Sequence, residues 1–315
     1  MESLTGREDA VAERPTQDRA GSEHRPSTAR ALLAAMRPPE WIKNLLVYAG
    51  LLFSQQFDDP GRVLDATLAF VAFCAISSAG YLINDLRDVA FDRRHPEKRH
   101  RAIASGALSE RLAWTAAVVL AAVAIGLSLA AVSAEVAGLV AAYGAITIAY
   151  SLILKRLVIL DVMTIASLFI LRVVAGAVAV DAQASEWLLL CTGMLALFLG
   201  FTKRRQEATE EMAENAETRP VLEHYSVPFL DQMVSMVTAA AIISYAIYAV
   251  NSPRIGSEML ATAPSVLYGI FRYLYLIYDR RDTRSTAAIL TEDPGMIFAG
   301  VTWVGTALLM LYAFN

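Results

Sequence analysis

Apolar runs of about 17–23 residues recur along the whole chain, at 40–56, 63–85, 112–132, 134–154, 158–180, 186–202, 231–250, 258–278 and 295–314. Each is long enough for an α-helix to cross the hydrocarbon core of a bilayer. No water reaches that core, so backbone polar groups must be satisfied within their own segment, and helices are the expected form. Apolar residues make up 56% of the 315, above the roughly 45–50% of a soluble domain. The chain therefore reads as an all-α polytopic membrane protein of about nine transmembrane helices. The first run is the weakest, since it opens on Trp41-Ile42-Lys43-Asn44.

Lys and Arg residues concentrate in alternate connections. With the N-terminus inside, cytoplasmic connections hold Arg87, Arg93, Arg94, Lys98, Arg99, Arg101, Arg111, Lys155, Arg156, Lys203, Arg204, Arg205, Arg219, Arg280, Arg281 and Arg284. The opposite side holds only Arg62 and Arg254. Excess basic charge on the cytoplasmic side sets this orientation, and a plasma-membrane protein with cytoplasmic active-site loops is expected. Residues 1–30 mix Arg with Glu and Asp among Ser, Thr and Gly, without a signal-peptide run. They read as a disordered cytoplasmic tail, and 31–315 as one transmembrane domain. Cys74 and Cys191 fall inside apolar runs and read as small core residues. No nucleic-acid partner is expected, and a homo-oligomer stays open.

Chemistry gathers first where the second run leaves the membrane, at Asn84-Asp85-Leu86-Arg87-Asp88-Val89-Ala90-Phe91-Asp92. On a continuous helix Asn84, Asp85, Asp88 and Asp92 fall within a wedge of roughly 100° over about two turns. Such a stripe repels itself unless a cation joins it. Hard oxygen donors suit Mg²⁺, which keeps its waters and recruits phosphate oxygens from a substrate. The basic stretch Arg93–Arg101 follows directly, with Lys98 and Arg101 its best candidates for binding such phosphates.

Three further groups stand out. Phe201-Thr202-Lys203-Arg204-Arg205-Gln206-Glu207 closes the sixth run, with Lys203 and Glu207 on one helix face, and Arg219 and Tyr225 lie on the return. Tyr150, Lys155, Asp161 and Arg172 form a second group. Arg172 sits mid-run, where a charge costs roughly 2.5–3.5 kcal/mol and faces a cavity by default. Asp161 is within about 20° of the same face but about 16 Å along the axis, too far to pair; both are expected to line one polar cavity. Lys43, a turn inside the first run beside Trp41, is the third.

These features resemble the UbiA superfamily of intramembrane prenyltransferases, and within it the branch of decaprenyl-phosphate phosphoribosyltransferases. The likeness runs from about residue 31 to 290. It rests on Arg37-Pro38-Pro39-Glu40-Trp41-Ile42-Lys43-Asn44, the 84–92 stripe and Tyr150-Ser151-Leu152-Ile153-Leu154-Lys155. Gly200-Phe201-Thr202-Lys203-Arg204-Arg205-Gln206-Glu207 and Tyr268-Gly269-Ile270-Phe271-Arg272-Tyr273-Leu274-Tyr275 complete it. The superfamily's second acidic stripe is replaced here by the mainly basic 203–207.

The resemblance implies a bundle around a cytoplasm-facing cavity and Mg²⁺-dependent transfer of phosphoribose from phosphoribosyl diphosphate to a polyprenyl (decaprenyl) phosphate, in cell-wall biosynthesis. Asp85, Asp88 and Asp92 would be catalytic, holding the metal with Asn84. Lys155, Arg172, Lys203 and Arg204 would take the remaining phosphates, and Tyr150 and Tyr225 would orient the ribose. The acceptor phosphate is already anionic, so none of His24, His95, His100 and His224 is needed as a base. A prenyltransferase moving an isoprenyl group from its diphosphate to an aromatic or other small acceptor is the alternative enzyme, and a transporter the non-enzyme reading.

Overall fold

In a computed structural model, residues 27–313 are described, apart from 55, 97, 215–220 and 253–255. They fold into helices and connections, with no strand among the described residues. The helices are α1 (Thr28–Met36), α2 (Ala49–Ser54), α3 (Pro60–Arg87), α4 (Val89–Asp92), α5 (Glu110–Ala131) and α6 (Ala134–Leu152). α7 (Leu160–Ala179), α8 (Glu186–Glu214), α9 (Val227–Val250), α10 (Ala263–Tyr278), α11 (Thr286–Glu292) and α12 (Pro294–Ala313) follow. Local chemistry marks the boundaries. Asp59 accepts hydrogen bonds from Gly61 and Arg62 at the start of α3 with Pro60 in its first turn, while Ser109, Ser133, Ser226 and Ser285 cap α5, α6, α9 and α11.

Seven described helices are long and apolar enough to cross a bilayer. An eighth span results if α11 and α12 count together, across a bend of 73°. Pro294 causes that bend: its ring pushes Asp293 to extended backbone, φ −76° and ψ 123°. The expected first span, 40–56, is built differently. It is a 3-10 helix, Pro38–Tyr48, followed by the six residues of α2. Eleven residues is long for a 3-10 helix, and this one lies flush against α7. A Cβ on Gly176 would stand 1.8 Å from the Val47 carbonyl oxygen, and one on Gly50 2.5 Å from the Ala177 nitrogen. Only glycine allows that crossing.

One packed cluster surrounds Phe73, Tyr143 and Leu168 between α3, α6 and α7; another surrounds Phe198, Leu230 and Tyr273 between α8, α9 and α10. The outer faces are apolar too: Val118, Val119 and Leu129 on α5 and Val301 and Leu309 on α12 are exposed. Apolar side chains on both inner and outer faces suit lipid rather than water, and the protein is an integral membrane protein. Because neighbouring spans run antiparallel, the C-terminal ends of α3, α6 and α8 meet the N-terminal ends of α7 and α9 at one end of the bundle.

At that end a buried ion pair locks α7 to α8. Arg204 Nε donates to Asp161 Oδ2 at 2.7 Å, with side-chain exposures of 2% and 0%. Tyr225 Oη donates to Asp161 Oδ1 at 2.8 Å and accepts the Ile159 amide at 2.6 Å. Ile159 has φ 69° and ψ −47°, and the Leu160 amide reaches the Val158 carbonyl at 2.8 Å. That is the strained form of γ-turn, at a β-branched residue, and Tyr225 holds its amide. Burial and the Asp161 carboxylate push the Tyr225 hydroxyl above its ordinary range, so it remains a donor.

Two substitutions test this architecture by thermal unfolding in detergent. Gly176→Ala is expected to destabilise by about 1–3 kcal/mol or more, through overpacking against Val47. Asp161→Asn, which leaves Arg204 buried without its full counter-charge, should cost about 3–5 kcal/mol.

Candidate active site

A cavity of about 1070 Å³ opens among the 3-10 segment, α3, α4, α6 and α7. Its walls carry Arg37, Lys43, Arg87, Arg94, Lys98, Arg101, Lys155, Arg156, Arg172 and Lys203 against the carboxylates Glu40, Asp88 and Asp92. With basic groups more than three to one over acids, the chamber favours a polyanion.

The acidic wall comes from the end of α3. The helix breaks at Asp88, φ −91° and ψ 4°, whose amide still bonds the Asn84 carbonyl at 3.0 Å. α4 then carries Asp92 through a single turn. This break divides the expected continuous stripe. Asn84, Asp88 and Asp92 line the cavity, whereas Asp85 does not. Asp85, 4% exposed, turns to Arg37 (2.6 Å) and Arg101 (3.1 Å). Arg101 also bonds Asp92 at 2.8 Å, so Asp85 positions two wall arginines rather than facing the chamber. Burial raises the Asp92 carboxyl above its usual range; Arg101 opposes this, and Asp85 and Asp88 reinforce it. Lys155 Nζ lies 2.9 Å from both Asp88 oxygens and 3.5 Å from Asn84 Oδ1.

Arg172 forms the deep wall. Its Nε donates to Asn44 Oδ1 at 2.7 Å, one terminal nitrogen to the Leu168 carbonyl at 2.9 Å and the other to Tyr143 Oη at 2.6 Å. The guanidinium lies over the Tyr143 and Phe169 rings, 4.7 and 5.3 Å from their centroids. Among the described residues no carboxylate lies within ion-pair distance of it. Asn44, fully buried, donates in turn to Ser77 at 3.2 Å and Cys74 at 3.3 Å, which explains why Cys74 sits in a polar knot within an apolar helix.

Around the rim, Lys43 pairs with Glu40, Lys98 lies 5.3 Å over the Phe91 ring, and Tyr150 and Lys203 face the cavity. Arg204 ties to Tyr150 at 3.3 Å and to Glu207. Asp161, Arg204, Glu207 and Tyr225 are not on the cavity wall. The expected alignment of Asp161 with Arg172 in one chamber does not occur, because Asp161 is consumed by Arg204 and Tyr225. Arg219 lies outside the described residues. Sequence reasoning did not single out Asn44, Tyr143, Arg37 or Glu40 as site residues. Asn44 carried a signal, an amide within an apolar run; Tyr143 carried none.

Among the described residues no three acids, His or Cys gather as a self-sufficient metal cage. Asn84, Asp88 and Asp92 nonetheless fit a hard divalent cation that shares its coordination with a substrate's phosphates. The Lys155 ammonium, itself a cation, already sits between Asn84 and Asp88.

Comparison with known proteins agrees with this architecture. Residues 44–313 match the UbiA prenyltransferase family. The decaprenyl-phosphate phosphoribosyltransferase of Corynebacterium glutamicum is 32% identical over 292 residues, 90% of this chain and 87% of that protein. Its namesake in Mycolicibacterium smegmatis is 32% identical over 295 residues, 89% and 92%. A UbiA homolog from Archaeoglobus fulgidus bound to DMAPP and Mg²⁺ superimposes with a TM-score of 0.69 at 20% identity, covering 90% of this chain and 99% of that one. A chain matched over this length, with these helices and this polar chamber, is a transferase that belongs to the UbiA prenyltransferase family.

Proposed function

We propose that the protein transfers 5-phosphoribose from phosphoribosyl diphosphate to a polyprenyl phosphate and releases diphosphate. The observation that carries this reading is a chamber lined by cationic groups at two depths. Arg172 is tied through Asn44 to Ser77, seven residues before Asn84, so the two levels differ by about 10 Å along α3. A donor with a diphosphate at one end and a phosphate at the other matches both levels; an isoprenyl tail has no use for the deeper guanidinium. The two namesakes of that activity support the same reading.

Asn84, Asp88 and Asp92 would hold Mg²⁺, in line with the ion in the Archaeoglobus fulgidus structure. When bound, the metal neutralises charge on the diphosphate as it leaves. Asp85 keeps Arg37 and Arg101 aimed at the same group, and Lys155 and Lys203 add charge beside it. The bond from ribose C1 to diphosphate breaks, and one from C1 to an acceptor phosphate oxygen forms. The acceptor is already an anion, so no protein base is required. Arg172, oriented by Asn44 and Tyr143, would take the 5-phosphate, and Tyr150 would bound the ribose. The lipid chain enters from the bilayer, with the N-terminus and the chamber's mouth on the cytoplasmic side, in keeping with the basic connections.

The test supplies purified protein with Mg²⁺ and either labelled phosphoribosyl diphosphate plus a polyprenyl phosphate, or a labelled isoprenyl diphosphate plus 4-hydroxybenzoate. Label should reach lipid only from the ribose donor; transfer only from the isoprenyl donor would overturn the reading in favour of a prenyltransferase. Asp88→Asn should lower the rate about a hundredfold or more. Arg172→Met should raise KM for the donor about tenfold to a hundredfold, the loss of charge-assisted bonds to one phosphate.

A further inference from the structure

The Lys155 ammonium occupies the place where a divalent cation would meet Asn84 and Asp88. Both Asp88 oxygens accept from it at 2.9 Å, and the Asn84 oxygen lies 3.5 Å away. The residue is carried on a short 3-10 turn, Leu154–Arg156, between α6 and α7. Its side chain is 17% exposed, and that of Asp88 32%, so the pair stands at the chamber surface. A metal ion approaching the Asp88 oxygens competes with the ammonium for their charge and meets its like charge at close range. It also meets a wall of fixed positive charge, including Arg87, Arg101 and Arg156.

A diphosphate removes both obstacles. Its oxygens offer the ammonium a new partner, and its charge offsets the wall that repels the metal. We infer that Lys155 is a placeholder cation: it guards the metal position until a diphosphate draws it away, so that metal and diphosphate bind as a unit. Lys155 is thus a positioning residue whose displacement couples two ligands. Linkage makes the effect reciprocal, since whatever diphosphate does for the metal, the metal does for diphosphate. The inference rests on the proposed function only in taking a diphosphate-bearing donor.

The experiment measures free Mn²⁺ by electron paramagnetic resonance over the full-length protein in detergent, with and without inorganic diphosphate, corrected for Mn²⁺ bound by diphosphate alone. In the wild type, diphosphate should tighten Mn²⁺ binding by about tenfold or more. Lys155→Met should bind Mn²⁺ alone about tenfold more tightly than the wild type, with a smaller diphosphate effect that reflects only the remaining basic wall. Lys155→Arg, which keeps the charge, should retain the wild-type pattern, and Asp88→Asn should lose the site under both conditions. Equal wild-type affinity for Mn²⁺ with and without diphosphate overturns the inference without recourse to any variant. So does a Lys155→Met protein that binds Mn²⁺ alone no better than the wild type. No ribose donor enters these measurements. A failed phosphoribosyl transfer with intact coupling would reject the proposed donor and leave the placeholder standing.

Discussion

The hydrogen bond from Arg172 to Asn44 is the constraint around which the site is organised. A guanidinium at mid-span is costly in hydrocarbon and must find polar partners. Here the partner comes from a segment more than a hundred residues away, and it can approach only because Gly50 and Gly176 let two backbones meet without side chains between them. That contact draws the 3-10 segment against α7, and the segment in turn brings Glu40 and Lys43 to the chamber wall. Tyr143 completes the support from α6. The floor of the chamber is thereby assembled from three elements that no local interaction would bring together.

Charges within the bundle and at its end sort into two kinds, with one pair between them. Asp161 with Arg204, and Asp85 with Arg37 and Arg101, are buried or partly buried pairs whose members satisfy each other. Removing one partner of such a pair strands the other, so their first contribution is to geometry. Arg172, by contrast, is satisfied as a hydrogen-bond donor but not as a charge, which leaves it available to an anion. Lys155 and Asp88 stand between these cases, paired yet partly exposed. The chamber is therefore rigid where carboxylates hold its arginines and exchangeable where the ammonium meets the acid.

Much of the site was legible in the residues. Asp88 and Asp92 announce themselves as acids at the end of an apolar run, and Arg172 as a charge inside one. Lys155 and Lys203 sit where basic residues meet helix ends. Other residues were misleading for a physical reason. Asp85 shares the helical wedge with Asp88, but the wedge is about 100° wide, enough for one acid to face the chamber and the other to face α1. Asp161 shares a face with Arg172, yet a shared face says nothing of what stands opposite, and opposite Asp161 stands Arg204. Arg204 itself looked like a ligand for phosphate because its carboxylate partner lies 43 residues earlier.

The sequence by itself determined that this chain enters a membrane as helices, because hydrophobic length and backbone satisfaction are properties of single segments. It determined equally that acids and bases collect at the ends of particular spans. Only the tertiary structure decided which of those charges face one another and which face the chamber. The 3-10 course of 38–48, the break at Asp88 and the turn at Ile159 belong to that second category. The first and the last depend on a contact between segments far apart in the chain, Val47 with Gly176 and Tyr225 with Ile159. Pairing of this kind is a matter of distance in space, which the periodicity of one helix cannot encode.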